Sequence, residues 1–296
     1  MTRLAFLGSP PVAAATLDAL LVAGHEVALV VTGADRRRGR GGATSPTAVK
    51  ALALERGLPV STRVADVVDA GVELGVVVAF GRIVRPEVLA EVPMVNLHFS
   101  LLPRWRGAAP VERAILAGDA ESGVCLMALE EGLDTGPVYA SRRVAIDEEE
   151  HAEELRARLG VLGTGLLLGA LADGFPVAAA QQGEPTYADK LSAAELALDF
   201  TAPALHLSRQ VRVGPAHTTF RGRRLLVHAA RAVPAPPEAL APGELRGDLV
   251  GTGEGALRLL TVQAEGRRPG PFGDWARGAR PEGERLGAPG PAAAAP

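Results

Sequence analysis

Cysteine is almost missing from this chain: Cys125 is the single thiol in 296 residues. No intrachain disulfide and no cysteine-built zinc site is available to it, which fits a reducing compartment. Lysine is nearly absent too, since of 31 basic residues only Lys50 and Lys190 are lysine. Long apolar runs are also lacking. The longest, Leu159–Ala172, is interrupted by glycines and falls short of the roughly 18 residues that a bilayer span needs. At the N-terminus the run Leu4–Leu7 stops at Gly8 and two prolines, too soon for a signal peptide. A soluble, cytoplasmic protein with no membrane partner is expected.

What is present is an ordinary globular composition, 47% hydrophobic and 22% charged, which excludes wholesale disorder. At roughly 150 residues per domain, the length suggests about two domains. The net charge of −3 is unevenly spread: residues 205–296 carry 13 arginines against 8 acids, and residues 1–204 carry 18 basic against 26 acidic residues. A basic C-terminal third on an acidic body suits an anionic partner.

The N-terminal two thirds read as repeated β-α-β. Leu4–Leu7 is a strand, Ser9 offers a helix N-cap before Pro10 and Pro11, and Gly24 supplies the stop. Val27–Val31 is the next strand, and Ser45-Pro46 opens a second helix. Strands over Leu74–Phe80, Met94–His98 and Val124–Leu129 alternate with helices over Pro86–Glu91 and Pro110–Ala117. Nearly continuous apolar strands of this kind predict a parallel sheet covered on both faces. A long helix, weakened by Gly160, Gly163, Gly165 and Gly169, is expected over Glu148–Leu171. From Val211 onward short strands follow (Thr218–Phe220, Arg224–Ala229, Gly247–Val250, Ala256–Val262) without helical periodicity, which predicts a small barrel or sandwich.

The turn Gly8-Ser9-Pro10-Pro11 lacks the glycine pattern of dinucleotide sites, so a nicotinamide enzyme is disfavoured. The segment Gly33–Thr44 mixes Arg36, Arg37, Arg38 and Arg40 with glycines and holds no apolar anchor. It reads either as a solvated mobile loop or as a basic lid for a phosphate backbone. Asn96 and His98, two apart at a strand end, face the same way. Asp134 lies in Gly132-Leu133-Asp134-Thr135-Gly136 after the following strand; it either caps a turn or holds something near His98. Cys125, inside a strand, reads as a buried structural thiol, and Trp105 as either packing or a wall for substrate.

The stretch NLHFSLLPRWRGAAP (96–110) followed by GLDTG (132–136) resembles the signature of the 10-formyltetrahydrofolate-dependent formyltransferases. FLGSPPVAAATLDALLVAGHEV, PTYADKLSAAELALDF and LLTVQAEGRRP extend the likeness over nearly the whole chain. RWRGAAP after SLLP is similar to the branch acting on initiator methionyl-tRNA rather than to the glycinamide ribonucleotide enzymes. Phe99 stands where these enzymes often have Gly or Pro, and Cys125 where they have Thr or Ser. The change of pattern puts a boundary near residue 205, and the Ala/Pro/Gly-rich composition of Leu286–Pro296 predicts a disordered tail; within these bounds the resemblance implies a Rossmann-like α/β domain over 1–204 and an OB-like tRNA-binding barrel over 205–285. It implies that Asn96 and His98 bond the formyl oxygen and that Asp134 orients His98 and relays the amine proton. It also implies that Ser100, Leu101, Leu102 and Pro103 form the folate loop and that Arg36, Arg37, Arg38 and Arg40 contact tRNA. 10-Formyltetrahydrofolate is the implied co-substrate, with no metal and a monomeric state. An amino-sugar formyltransferase, or a nucleic-acid-binding protein with an inactive α/β domain, are the competing expectations.

Overall fold

Apolar runs of strand length form the interior of one sheet in the computed structural model, which describes residues 2–37 and 44–287. β1 (Arg3–Gly8) leads into α1 (Pro11–Val22) and β2 (Glu26–Val31). The two-residue strands β3 (Arg36–Arg37) and β4 (Thr44–Ser45) precede α2 (Ala48–Glu55), β5 (Val60–Ser61), β6 (Leu74–Val78), α3 (Pro86–Glu91) and β7 (Met94–His98). Then come β8 (Arg106–Gly107), α4 (Pro110–Ala117), β9 (Glu121–Ala128), β10 (Val138–Ala145), α5 (Ala152–Asp173) and β11 (Tyr187–Ala188).

The main sheet has seven strands in the order β10-β9-β7-β6-β1-β2-β5. β5, β2, β1, β6 and β7 are parallel, as expected, with Leu4–Leu7 wholly buried in β1. β9 corrects the all-parallel expectation: it runs antiparallel to β7, and β10 runs antiparallel to β9. An apolar run looks the same in either direction, so β9 gave no sign of its polarity. β10 (VYASRRVA) is only partly buried, and its mixed composition hid it altogether. The chain leaves β1 toward β2 on one side and returns to β6 on the other, so the crevice at the strand C-terminal ends opens between β1 and β6, one strand from β7.

Ser9 does not cap α1. The cap position is Pro10, with no side-chain bond, and Ser9 Oγ instead accepts the Gly33 N–H at 3.1 Å. It begins a row of hydroxyls: Ser9 to Thr32 at 3.3 Å, then Thr32 to Thr47 at 2.7 Å. Thr47 is the cap of α2 and accepts the Lys50 N–H at 3.0 Å. That row pins the base of the basic loop. Beyond it, Lys50 pairs with Asp35 at 2.8 Å, and Arg36 and Arg37 pair through their backbones with Ser45 and Thr44. The expectation of an unanchored Gly33–Thr44 segment is corrected to that extent.

α5 starts at Ala152, later than expected. By length and composition it is long and apolar enough to cross a membrane, yet Leu155, Leu159 and Leu167 are fully buried. Thr164 on α5 bonds Thr16 on α1 at 2.9 Å. Its glycines divide into two kinds. A Cβ on Gly163 would lie 2.9 Å from Val124 and 3.3 Å from Leu97, whereas one on Gly165 or Gly169 meets nothing within 4 Å.

The remaining elements are α6 (Ala204–Val213), β12 (Ala216–Phe220), β13 (Arg223–Val233), β14 (Leu245–Arg246), β15 (Leu249–Gly251), β16 (Ala256–Ala264), β17 (Gly270–Pro271) and α7 (Phe272–Ala279). The strands make an antiparallel sheet, β12-β13-β16-β15-β14, with β17 also on β16. Leu207, Val211, Leu225, Val227, Leu257, Val262 and Phe272 are among the side chains of its core. The absence of helix after Val211 is corrected by α7, a short helix with two internal glycines. The expected tail begins at 286, but Leu286 is 3% exposed and belongs to this core; residues 288–296 lie outside the described residues.

The chain forms two compact units. The first comprises residues up to Val111, Ala120–Ala145 and Glu154–Asp189. The second comprises Glu112–Asp119, Ile146–Glu153 and Lys190 onward. Within the second, Arg212 donates to the carbonyls of Asp147 at 2.6 Å and Glu150 at 2.9 Å. Arg113 meets Glu195 at 2.6 Å and, with Ser192, holds that carboxyl down at about 2.

The two kinds of glycine in α5 have opposite consequences. Gly165→Ala and Gly169→Ala should each stabilise the chain by about 0.5–1 kcal/mol through helix propensity. Gly163→Ala should destabilise it by about 1–3 kcal/mol through overpacking. Urea denaturation decides; a stable Gly163→Ala variant removes the packing account.

Candidate active site

β7 ends one strand from the crevice with Asn96 and His98 on one face. His98 is 5% exposed, so its ring must find partners. Nε2 lies 2.8 Å from the Trp105 carbonyl. A carbonyl only accepts, so Nε2 carries a hydrogen and donates. Nδ1 faces Asp134 Oδ2 at 3.5 Å. Asn96 is partly exposed, and among the described residues its carboxamide has no hydrogen-bond partner.

Two loops bring these partners in. Trp105 has φ +62 and Asp134 φ +49, both in the left-handed region, where a non-glycine residue costs about 1–3 kcal/mol. Each is held against that cost. The Trp105 N–H donates to Thr186 Oγ1 at 2.9 Å, and Asp134 Oδ2 accepts the Gly107 N–H at 2.8 Å. Gly107 itself has φ +120, and a Cβ there would sit 2.9 Å from the Ala188 carbonyl, because β8 pairs closely with β11. A Cβ on Gly136 would sit 2.0 Å from the Ala128 carbonyl. Arg104 stacks over the Trp105 ring at 4.5 Å.

The structure therefore brings Asn96, His98 and Asp134 together. The four residues expected to form the folate loop are adjacent but occupied differently. Ser100 is buried and donates to the Arg104 carbonyl at 2.5 Å. Leu101 packs over Gly123 of β9. Leu102 and Pro103 are half-buried and joined by a cis peptide bond. Of the basic loop, Arg36 and Arg37 lie in β3, and Arg38 and Arg40 fall outside the described residues. Among the described residues no three metal-ligating side chains cluster.

Sequence reasoning missed the strap formed by residues 179–188. Ala179 pairs with Val138 of β10, and Thr186–Ala188 pairs with the loop carrying Trp105. Gln181, between them, bonds Arg106 and the turn carrying Asp134. Gln181, one of two adjacent glutamines after three alanines, carries no sequence signal of such a role.

Cys125 lies opposite His98 in the β7–β9 register. It is 2% exposed, and burial pushes its thiol up from the ordinary range, only partly offset by a hydrogen bond from the Leu102 backbone.

An α/β unit with this polar cluster at its strand ends matches the formyl transferase family model over residues 2–171, and the formyl transferase C-terminal domain matches residues 190–280. The chain belongs to the formyl transferase family. Its relatives narrow the place within it. A methionyl-tRNA formyltransferase of Streptomyces coelicolor is 43% identical, with 96% of this chain and 99% of that protein covered. One of Magnetococcus marinus is 42% identical, covering 96% and 98%. The chain is therefore a member of the methionyl-tRNA formyltransferase branch. Among solved structures, a methionyl-tRNA formyltransferase of Clostridium thermocellum superposes with a TM-score of 0.57 at 14% identity, covering 78% of this chain and 93% of that one. A sugar 3N-formyl transferase, WlaRD, gives 0.66 at 15% identity, covering 90% and 99%. These two share the fold.

With a raised thiol and no exposure, Cys125 should react with a disulfide reagent at neutral pH at least about tenfold more slowly in the native chain than in denaturant. Stopped-flow labelling measures it, and equal rates would contradict the buried placement.

Proposed function

We propose that this chain transfers a formyl group from 10-formyltetrahydrofolate to the α-amino group of initiator methionyl-tRNA. The observation that carries the reading is the His98 ring, bonded at Nε2 and faced by Asp134 at Nδ1, beside an Asn96 carboxamide with no partner among the described residues. When bound, the folate supplies an electrophilic formyl carbon. The donor set fits it, because a formyl oxygen that gains negative charge needs hydrogen-bond donors in a site shielded from water.

Asn96 offers its free amide N–H groups to that oxygen. His98 offers Nε2–H, exchanging the Trp105 carbonyl for the incoming acceptor. The attacking amine must be neutral, and once it attacks it has a proton to lose. Asp134 takes up or relays that proton, which ends on N10 as the bond between N10 and the formyl carbon breaks and tetrahydrofolate leaves, and the Asp134 charge keeps the His98 ring oriented. No covalent bond to the protein is required, which agrees with Cys125 being buried, with its thiol held in the protonated form. Folate binding is assigned to Ser100, Leu101, Leu102 and Pro103 and their backbone, and catalysis to residues 1–204. tRNA binding is assigned to residues 205–285 together with Arg36, Arg37, Arg38 and Arg40. The basic balance of residues 205–296 supports a polyanionic acceptor over a small amine.

Formyl transfer from 10-formyltetrahydrofolate to charged initiator tRNA, free methionine and an amino-sugar nucleotide tests the reading. Transfer to the charged tRNA is expected. Preference for the sugar would replace the acceptor, and no transfer to any amine would overturn the reaction. His98→Ala and Asp134→Asn should each lower kcat/KM by about 10² or more with the fold retained; wild-type turnover in either removes that residue from the mechanism.

Replacing Arg36, Arg37, Arg38 and Arg40 by Ala should weaken tRNA binding while leaving folate affinity unchanged. The log–log salt slope of tRNA binding should flatten by up to about 3. An unchanged slope would mean that the loop is a solvated charge run.

A further inference from the structure

The strap between the two matched family segments is the part of the molecule whose role is unaccounted for. Residues 172–189 fall outside both family models, which end at 171 and resume at 190. Yet the strap is part of the first compact unit, and one of its side chains ties together the loops that flank His98. Gln181 Nε2 donates to the Asp134 carbonyl at 2.8 Å and to the Gly136 carbonyl at 2.9 Å. Its Oε1 accepts from Arg106 Nη2 at 2.7 Å and Nε at 3.1 Å. Both amide hydrogens and the carbonyl are thus in use.

These bonds close a ring. Arg106 is followed by Gly107, whose N–H is held by Asp134 Oδ2, and Asp134 is held through its own carbonyl by Gln181. The backbone of Gln181 is anchored on either side. Ala179 and Val138 exchange bonds at 2.8 and 2.9 Å, and the Thr186 carbonyl accepts the Arg106 N–H at 2.8 Å. Asp134 sits at φ +49 in a turn between Gly132 and Gly136, so the direction of its carboxylate depends on what grips the turn. The gripping group must donate to two carbonyls and accept from a guanidinium. Glutamine does both. Glutamate offers no donor at neutral pH, and methionine has the length with neither.

We infer that Gln181 is a positioning residue: it fixes the separation of the Asp134 turn from the Trp105–Gly107 loop, and through Asp134 it sets the orientation of His98. The inference rests on the function proposed above for the His98 site.

The test is steady-state kinetics of Gln181→Met and Gln181→Glu with 10-formyltetrahydrofolate and charged initiator tRNA, alone and combined with Asp134→Asn. Each single variant should lose about tenfold in kcat, with both KM values within about twofold, the scale of a misoriented group rather than a lost binding contact. In the Asp134→Asn background the same change should cost under about twofold, because the two act as one unit. Equal losses in both backgrounds, or an unchanged kcat, overturn the inference. A substrate-free measurement separates it from the functional reading: the His98 ring nitrogen resonances should move in Gln181→Met, recorded well below its unfolding temperature. If the wild type transfers nothing to any amine, the functional reading fails on its own. Unmoved His98 signals overturn the positioning role whichever way that assay falls.

Discussion

A buried imidazole needs something at both ring nitrogens, and much of the local architecture follows from meeting that need at His98. Leaving one polar atom unpaired in such a place costs about 1–3 kcal/mol. The acceptor on one side is a backbone carbonyl, so Trp105 must turn that carbonyl inward and enter the left-handed region. The group on the other side is Asp134, which adopts the same region in a turn between Gly132 and Gly136. Two unfavourable backbone conformations are thereby tolerated, each supported by hydrogen bonds from outside its own loop. Gly107 and Gly136 are glycines because other backbone passes too close for a Cβ.

The sheet supplies the rigid reference for these loops. Parallel strands buried on both faces put the end of β7 one strand from the crevice, and the antiparallel β9 brings Gly123 and Cys125 under the loop that follows His98. Leu101 fills the space that Gly123 leaves open. On the other side of the sheet, the hydroxyls of Ser9, Thr32 and Thr47 join the first turn, the end of β2 and the cap of α2. The same chemistry, short polar groups bridging loops, recurs at both sites.

Periodicity and composition exposed what depended on burial. Leu4–Leu7, Met94–His98 and Ala256–Val262 are strands because their apolar runs have no other use, and the Asn96, His98 and Asp134 grouping was legible from spacing and resemblance. Contacts between distant segments were not legible. Ser9 has the composition of a helix cap, but tertiary structure takes its hydroxyl for the Gly33 N–H. β10 mixes apolar, small and charged residues without a strand pattern and forms because β9 offers it an edge. α7 is short, and its helical character comes from Phe272 and Trp275 packing on the core. Gln181 is ordinary in sequence and distinctive only through the three groups it meets.

The second compact unit is assembled from three stretches of sequence, and that has a bearing on how the chain emerges during synthesis. The carbonyls of Asp147 and Glu150 are satisfied by Arg212, which follows Glu150 by 62 positions. At about 5–20 residues per second, a translating ribosome takes roughly 3–12 s to cover that interval. For those seconds the Ile146–Glu153 segment exists without its partner, and Glu112–Asp119 waits longer still. Every residue of the first unit has been made by Asp189, so that unit can close while two short segments within its span are still held open for the second, until α6 appears.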